Sequence, residues 1–367
     1  MNLPSALKVV TKGLAKEIED FVVPVKLQQM YKGYQLRDVT LPETRMDLDF
    51  LVTLAELADH IYLTGTKAAH SAEGSPFGIS LRHQLGELFQ NYMQLFRFDA
   101  TTGLVIETMG PFGAVVASAV PPGLERVPVA GRSAAPPRYR LFVVFRGTVP
   151  AVGDLYLDDL STDAKTVLWK ARNTVGNKDG DVARGFHNTY VSCRSVVVGQ
   201  LIPRAMRILS DWQAKFLKES APKGRVAGAP RRLGPADVQL YVVGHSLGGA
   251  VATLCAYDIA CRLPAYNPVL VTFGSPAVGD IDFAIGFNKV MVERNRYHPQ
   301  AKCLRSIRVE ARTNSGDRDP VTATDVLPNY IHVNSRLPLT AGSGITSRFG
   351  AHSMTDSYTA ALKALQK

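Results

Sequence analysis

The stretch from Asp237 to Leu263 constrains this chain more than any other. DVQLYVV (237–243) reads as a buried strand and runs directly into Gly244-His245-Ser246-Leu247-Gly248-Gly249. The small-residue helix AVATLCAYDIACRL (250–263) follows and is stopped by Pro264. A strand that enters a helix through G-x-S-x-G must turn sharply, with the serine at the tip. Side chains two residues before and two after that serine would meet neighbouring backbone, so both positions are glycine. The serine takes a disfavoured backbone conformation that lifts its hydroxyl clear of the sheet. The helix aims its positive end at the serine, where it favours developing negative charge. The same geometry turns the adjacent His245 away from the hydroxyl, and we read its ring as packing. A bare pentapeptide arises by chance; the strand and helix on either side supply the context that makes Ser246 a candidate nucleophile.

The rest of the chain alternates in the same manner. Apolar spacing predicts helices over 46–63, 80–96, 190–217 (interrupted at Pro203), 250–263 and 353–365. Strands are predicted over 105–107, 112–120, 139–145, 237–243, 269–273 and 306–311. This pattern implies an α/β fold with a mostly parallel central sheet and helices on both faces. Segments 112–120 and 139–145 flank a Pro/Gly/Ala-rich loop and are expected to pair as an antiparallel hairpin. The expected organisation is an N-terminal helical extension over 1–45 and one α/β domain over 46–367, with loop insertions at 121–137 and 218–237.

Composition narrows the function classes. A chain of 367 residues that is 46% hydrophobic and 20% charged is globular and long enough for a substantial core. No apolar run reaches the ~18–20 residues that a membrane-spanning helix needs. The four cysteines (Cys193, Cys255, Cys261, Cys303) lack metal-ligand spacing and are expected to be free thiols in a reducing compartment. The first residues carry a lysine within their apolar stretch and acids soon after, which does not fit a secretory signal, so a cytoplasmic location is expected. The net charge of +10 favours anionic partners. No nucleic-acid-binding motif accompanies it, so nucleic acid is not expected. Lys223, Arg225, Arg231 and Arg232 make the 218–237 loop a candidate peripheral contact with anionic membrane, a solvated insertion being the alternative.

A serine nucleophile needs a base, and the base needs an orienting acid. In a strand-elbow-helix hydrolase the order along the chain is Ser, then Asp or Glu, then His. After Ser246 the histidines are His298, in a charged loop, His332, in the strand-like YIHVN, and His352, in the turn before the last helix. His352 is the preferred base and His332 the second choice. Asp317, Asp319 and Asp325 follow the 306–311 strand. Asp319, in Asp319-Pro320-Val321, is preferred, with Asp317 as rival.

Several ordered motifs together resemble the class 3 lipases, the fungal-type triacylglycerol lipase family of α/β-hydrolases. They are VVFRGT (143–148), Gly185-Phe186-His187-Asn188-Thr189-Tyr190, VGHSLGG (243–249), VTFGSPAVGD (271–280), and the run from Asp319-Pro320-Val321 to His352. The resemblance extends from about residue 46 to the C-terminus. It implies an oxyanion hole formed by Thr148 and Leu247, a lid within 149–165, and a structural role for Arg146. The implied activity is hydrolysis of acylglycerol-type lipid esters at a lipid–water interface, through an acyl-enzyme and with no cofactor. A phospholipase A or acyltransferase would use the same Ser246–His352–Asp319 triad, and a non-catalytic lipid- or protein-binding module is the remaining alternative.

Overall fold

The computed structural model describes residues 38–44, 46–62, 92–102, 108–119, 139–148, 170–219, 232–291, 305–322, 330–333, 335–342, 344–347 and 350–366. Seven strands form the main sheet: β1 (Tyr92–Thr102), β2 (Thr108–Ala119), β3 (Tyr139–Phe145), β6 (Val238–His245), β7 (Val269–Phe273), β8 (Ser306–Arg312) and β9 (Ser335–Thr340), in that spatial order. Between β3 and β6 in the chain, β4 (Lys170–Arg172) and β5 (Asp181–Ala183) make a separate two-stranded ribbon. β1, β2 and β3 are antiparallel neighbours, whereas β3, β6, β7, β8 and β9 are parallel. All five parallel strands therefore end on the same edge of the sheet. The loops that leave them carry Thr148, Ser246, Gly274, Asp319 and His352, so topology alone gathers these residues at one edge. Carboxyl ends of parallel strands are where open α/β sheets hold their sites.

The sheet is buried on both faces. Along β3, Leu141, Val143 and Phe145 enter one apolar cluster, while Phe142 and Val144 enter the other. The first cluster is completed by α3 (Arg184–Val196), α4 (Ile202–Glu219), α5 (Leu247–Arg262) and α6 (Ile281–Met291). The second is covered by α2 (Leu48–His60) and α7 (Ala360–Ala364). Each fully buried Val, Leu or Phe contributes ~1.5–3 kcal/mol through removal from water, which explains why these strands read as continuous apolar runs.

Local chemistry sets the helix boundaries. Asp47 caps α2, its carboxylate accepting the Asp49 N–H. The long helical stretch expected over 190–217 begins earlier, at Arg184, and widens into a π-helical turn over Val197–Leu201 before α4. Pro203 is the physical reason: it lacks an N–H and its ring crowds the carbonyl of the preceding turn.

The helix expected over 80–96 is contradicted at its end, because residues 92–96 belong to β1. Strand β1 pairs with β2 through two irregularities of register, which break the simple alternation that would have marked it. The 1–45 extension is described over 38–44. There α1 (Leu41–Thr44) follows Asp38, whose carboxylate receives two hydrogen bonds from Arg336 on β9, and Val39 lies in the second core cluster. Those residues are built into the domain rather than appended to it. The strand expected at 105–107, the 121–137 loop, the 149–165 segment, Lys223, Arg225, Arg231, His298, Cys303 and Asp325 lie outside the described residues.

A buried ion pair fixes α3 to the elbow helix. Asp258 on α5 is wholly buried and receives Arg194 Nε at 2.7 Å, Arg194 Nη2 at 2.6 Å, the Tyr190 hydroxyl at 2.9 Å and the Gly176 N–H at 3.1 Å. Burial alone would raise this carboxyl, but these donors and the Arg194 charge hold it below the ordinary carboxylate value. The G-F-x-x-x-Y segment thus serves as a strut behind the elbow.

Candidate active site

Ser246 sits between β6 and α5 with φ 55° and ψ −129°, a sparsely populated conformation for a side-chain-bearing residue. Strain of this kind costs on the order of 1–3 kcal/mol. Two glycines make the turn possible. A Cβ on Gly244 would collide with the Gly248 backbone, and one on Gly248 would collide with the carbonyls of Phe145 and Arg146. The Ser246 N–H is anchored to the Phe273 carbonyl at 3.0 Å.

His352 and Asp319 complete a linear array. Asp319 is fully buried, and its Oδ2 lies 2.8 Å from His352 Nδ1. A carboxylate can only accept, so Nδ1 carries the proton and Nε2 presents its lone pair. Nε2 lies 2.8 Å from Ser246 Oγ, in position to accept the hydroxyl proton. The carboxylate is held from all sides. Its Oδ2 also accepts the Tyr358 hydroxyl at 2.6 Å and its Oδ1 accepts the Val321 N–H at 2.9 Å. Burial would raise Asp319, but the His352 charge and these hydrogen bonds outweigh it, keeping the carboxyl below its usual value and therefore ionised.

Gly274, at φ 56°, leaves the space this array occupies. A Cβ there would come within 2.9 Å of Asp319 Oδ2, 3.0 Å of the Tyr358 hydroxyl and 3.1 Å of His352 Nδ1. Tyr358 itself lies on a π-helical turn, Met354–Thr359, that opens with Ser353 capping the Asp356 N–H. Its oxygen accepts the Ala311 N–H from β8 at 3.1 Å while donating to Asp319.

The rival positions are occupied otherwise. His332 Nε2–H donates to the Thr322 carbonyl at 2.9 Å, fastening the turn that follows Asp319. Asp317 is exposed at a turn: its carboxylate accepts the Ser315 hydroxyl, and its N–H donates to the Thr313 hydroxyl. Arg146 donates to the carbonyls of Pro111 (2.6 Å) and Gly147 (2.8 Å), and so ties down the loop that bears Thr148. His187 Nε2 is bonded to the Thr174 hydroxyl at 2.8 Å. Contrary to the packing role expected of it, His245 makes two polar contacts, to the Tyr62 hydroxyl at 2.6 Å and to the His352 carbonyl at 3.0 Å.

Leu247 opens α5, so its N–H belongs to a helical first turn that has no acceptor within the helix. Thr148 is exposed and follows Gly147, where a Cβ would lie only 2.9 Å from Ser246 Cβ. The loop after β3 thus lies directly against the elbow. A hydroxyl with a base at one side and main-chain donors and a helix N-terminus at the other can attack a carbonyl carbon and support the oxyanion that results.

Fold and array together define an α/β-hydrolase fold that carries a Ser–His–Asp array at the carboxyl ends of its parallel strands. The sequence model described as Lipase (class 3) matches residues 142–301 of this chain. Secreted mono- and diacylglycerol lipase 2 of Gibberella zeae is 34% identical over 68 residues, 18% of this chain and 17% of that protein. Lipase ZK262.3 of Caenorhabditis elegans is 40% identical over 57 residues, 15% of this chain and 16% of that protein. The chain thus aligns with about a sixth of the length of the curated relatives it matches. Among solved structures, the Lip2 lipase of Yarrowia lipolytica is similar at 18% identity and a TM-score of 0.48, over 84% of this chain and 82% of that one. The Rhizomucor miehei lipase propeptide complex is similar at 16% identity and a TM-score of 0.47, over 89% and 78%.

The buried histidines predict how stability responds to acid. Burial, with the nearby His352, lowers His245 to about 3. Burial and the nearby Arg308 hold His332 well below the ordinary imidazole value. Below pH ~6.5 the unfolded chain binds protons at both rings and the folded protein does not, so stability falls as pH falls. The expected loss is about 1.4 kcal/mol per pH unit for each ring, beginning near pH 6.5 and running for His245 down to about pH 3. Urea unfolding at pH 7, 6 and 5 measures this. A flat profile would show that the rings are not buried as neutral imidazoles.

Proposed function

We propose that this protein is a serine carboxylic-ester hydrolase that cleaves acylglycerol-type lipid esters. The observation that carries the reading is the pair of 2.8 Å contacts joining Ser246 Oγ to His352 Nε2 and His352 Nδ1 to Asp319 Oδ2, with the serine held on a strained elbow. In this reading Ser246 Oγ attacks the ester carbonyl carbon as its proton passes to His352 Nε2. Asp319 stabilises the resulting imidazolium and holds its orientation. The oxyanion is received by the main-chain N–H groups of Leu247 and Thr148, with the Thr148 hydroxyl as a further donor; one such donor is typically worth on the order of 10²–10³ in turnover. His352 returns the proton to the departing alkoxide, the alcohol leaves, and water activated by the same imidazole cleaves the acyl-enzyme.

The lipid-ester substrate is supported by the match of residues 142–301 to the Lipase (class 3) model, and an acylglycerol in particular by the name of the Gibberella zeae relative. A lid within 149–165 and peripheral contact with anionic lipid remain part of the proposal, the latter supported by the +10 charge. A reducing, cytoplasmic setting is supported by Cys193 and Cys255, buried outside any disulfide, with burial pushing the Cys193 thiol up to about 12. The matched Gibberella zeae protein is by name secreted. No helix among the described residues is long and apolar enough to cross a membrane.

A panel of p-nitrophenyl esters of increasing chain length, run beside diacylglycerol, triolein and phosphatidylcholine, tests the substrate class. Turnover of the simple esters and of an acylglycerol is expected. Cleavage of phosphatidylcholine alone would reassign the enzyme as a phospholipase, and turnover of none would indicate a binding module.

A further inference from the structure

Tyr62 stands two residues beyond α2, far from the elbow in sequence, yet its hydroxyl meets two groups beside Ser246. It accepts the Gly147 N–H at 3.0 Å and lies 2.6 Å from His245 Nδ1. The direction of every bond in this cluster follows from what each atom can do. The His352 carbonyl can only accept, so His245 Nε2 carries the proton and donates to it at 3.0 Å. His245 Nδ1 is then a lone pair and accepts the Tyr62 O–H, while the phenol oxygen takes the Gly147 N–H. His245 is buried and lowered to about 3, so this neutral tautomer holds throughout the working range of an esterase. Desolvation raises the Tyr62 phenol above its ordinary value, so it too stays neutral.

The result is one unbroken chain: Gly147 N–H to Tyr62 Oη, Tyr62 O–H to His245 Nδ1, His245 Nε2–H to the His352 carbonyl. Its members adjoin or belong to the three loops that matter. Gly147 precedes Thr148, His245 precedes Ser246, and the last acceptor is the main chain of His352 itself. There is no slack at Gly147, where a Cβ would collide with the Tyr62 hydroxyl and approach the His245 carbonyl to 2.9 Å. Neither nitrogen of His245 faces Ser246 Oγ, so this ring is not a second base.

We infer that Tyr62 is a positioning residue that, through Gly147 and His245, holds the Thr148 loop against the elbow and the His352 main chain in register with Ser246. The inference rests on the proposed hydrolase reading. It deepens that reading by assigning a role to a residue that touches none of the reacting groups. Removing the hydroxyl leaves the Gly147 N–H without its acceptor and the buried His245 Nδ1 without its donor. Small misplacements of reacting groups are costly to rate.

Tyr62→Phe, His245→Gln (which retains a donor toward the His352 carbonyl) and the double variant test this, with active sites counted by fluorophosphonate titration. For Tyr62→Phe, kcat per titrated site on a p-nitrophenyl ester is expected to fall about 10- to 100-fold with KM within about twofold. Inhibition by a trifluoromethyl ketone, which forms a tetrahedral oxyanion adduct, should weaken by a similar factor. His245→Gln should show the same pattern, and the double variant should be no worse than the poorer single one. The inference is overturned if kcat per titrated site stays near wild type while only Tm drops, if KM rises in place of the kcat loss, or if the two losses multiply. A wild-type protein that neither turns over nor titrates would instead overturn the hydrolase reading.

Discussion

His352→Ala and Ser246→Ala are each expected to reduce ester turnover on the order of a million-fold, and the double variant is expected to lose no more. The reason lies in the shared proton. Ser246 Oγ is a poor nucleophile until Nε2, 2.8 Å away, accepts its proton, so either change leaves the other group idle. Neither side chain is a core element, and both variants should keep the far-ultraviolet circular dichroism of the wild type. His332→Ala separates the two histidines. It should lower stability, because the Thr322 carbonyl loses its donor, while turnover per folded molecule stays within an order of magnitude. A crippling His332 change beside a tolerated His352 change would mean that the base has been misassigned. The comparison is kcat per molecule at pH 8, with the folded fraction measured in parallel.

The second large effect is expected at the acid. Asp319→Asn should reduce kcat by up to about 10⁴-fold with little change in KM. An amide nitrogen facing Nδ1 would favour the wrong imidazole tautomer, with its proton on Nε2 pointing at the serine. The Val321 N–H would still donate to the remaining side-chain oxygen and keep the substituted side chain in place, so the loss should be chiefly chemical. Asp317→Asn, at an exposed turn, should change kcat less than about twofold. Steady-state kinetics of the two variants decide the matter, and a reversal of their effects would assign the acid to Asp317.

The elbow was legible because its demands are local. Gly244, Ser246 and Gly248 must lie two residues apart, and the strand before and helix after leave their own periodic marks. The parallel sheet was legible for a similar reason, since strands buried on both faces read as apolar runs. Other elements were concealed by long-range compensation. Strand β9 contains Pro338, which a central strand would not accept, but β9 closes the sheet order and an edge strand can spare that N–H. Helix α6 is short and interrupted by Gly286, where a Cβ would collide with the Asp179 carboxylate.

The groups around the array were concealed for the same cause. Tyr358 meets Asp319 across 39 positions and Tyr62 meets His245 across 183, and no local spacing encodes either meeting. The left-handed Gly274 did have a signal, the F-G-S-P turn after β7. Its purpose, making room for His352 and Asp319, depends on loops far along the chain. For His245 the elbow geometry says only that the ring turns away from Ser246, not what it meets there. Its two hydrogen bonds come from elements that the sequence does not place beside it.

The central claim is that Ser246 is the nucleophile of an acyl-enzyme, and mapping the site of phosphonylation tests it most directly. The full chain is treated with a fluorophosphonate, its intact mass measured, and the modified peptide sequenced by tandem mass spectrometry. One adduct per molecule is expected, carried by Ser246, absent from Ser246→Ala, and formed far more slowly in His352→Ala. An adduct on any other residue, or ester turnover by a protein that takes no label at Ser246, would contradict it.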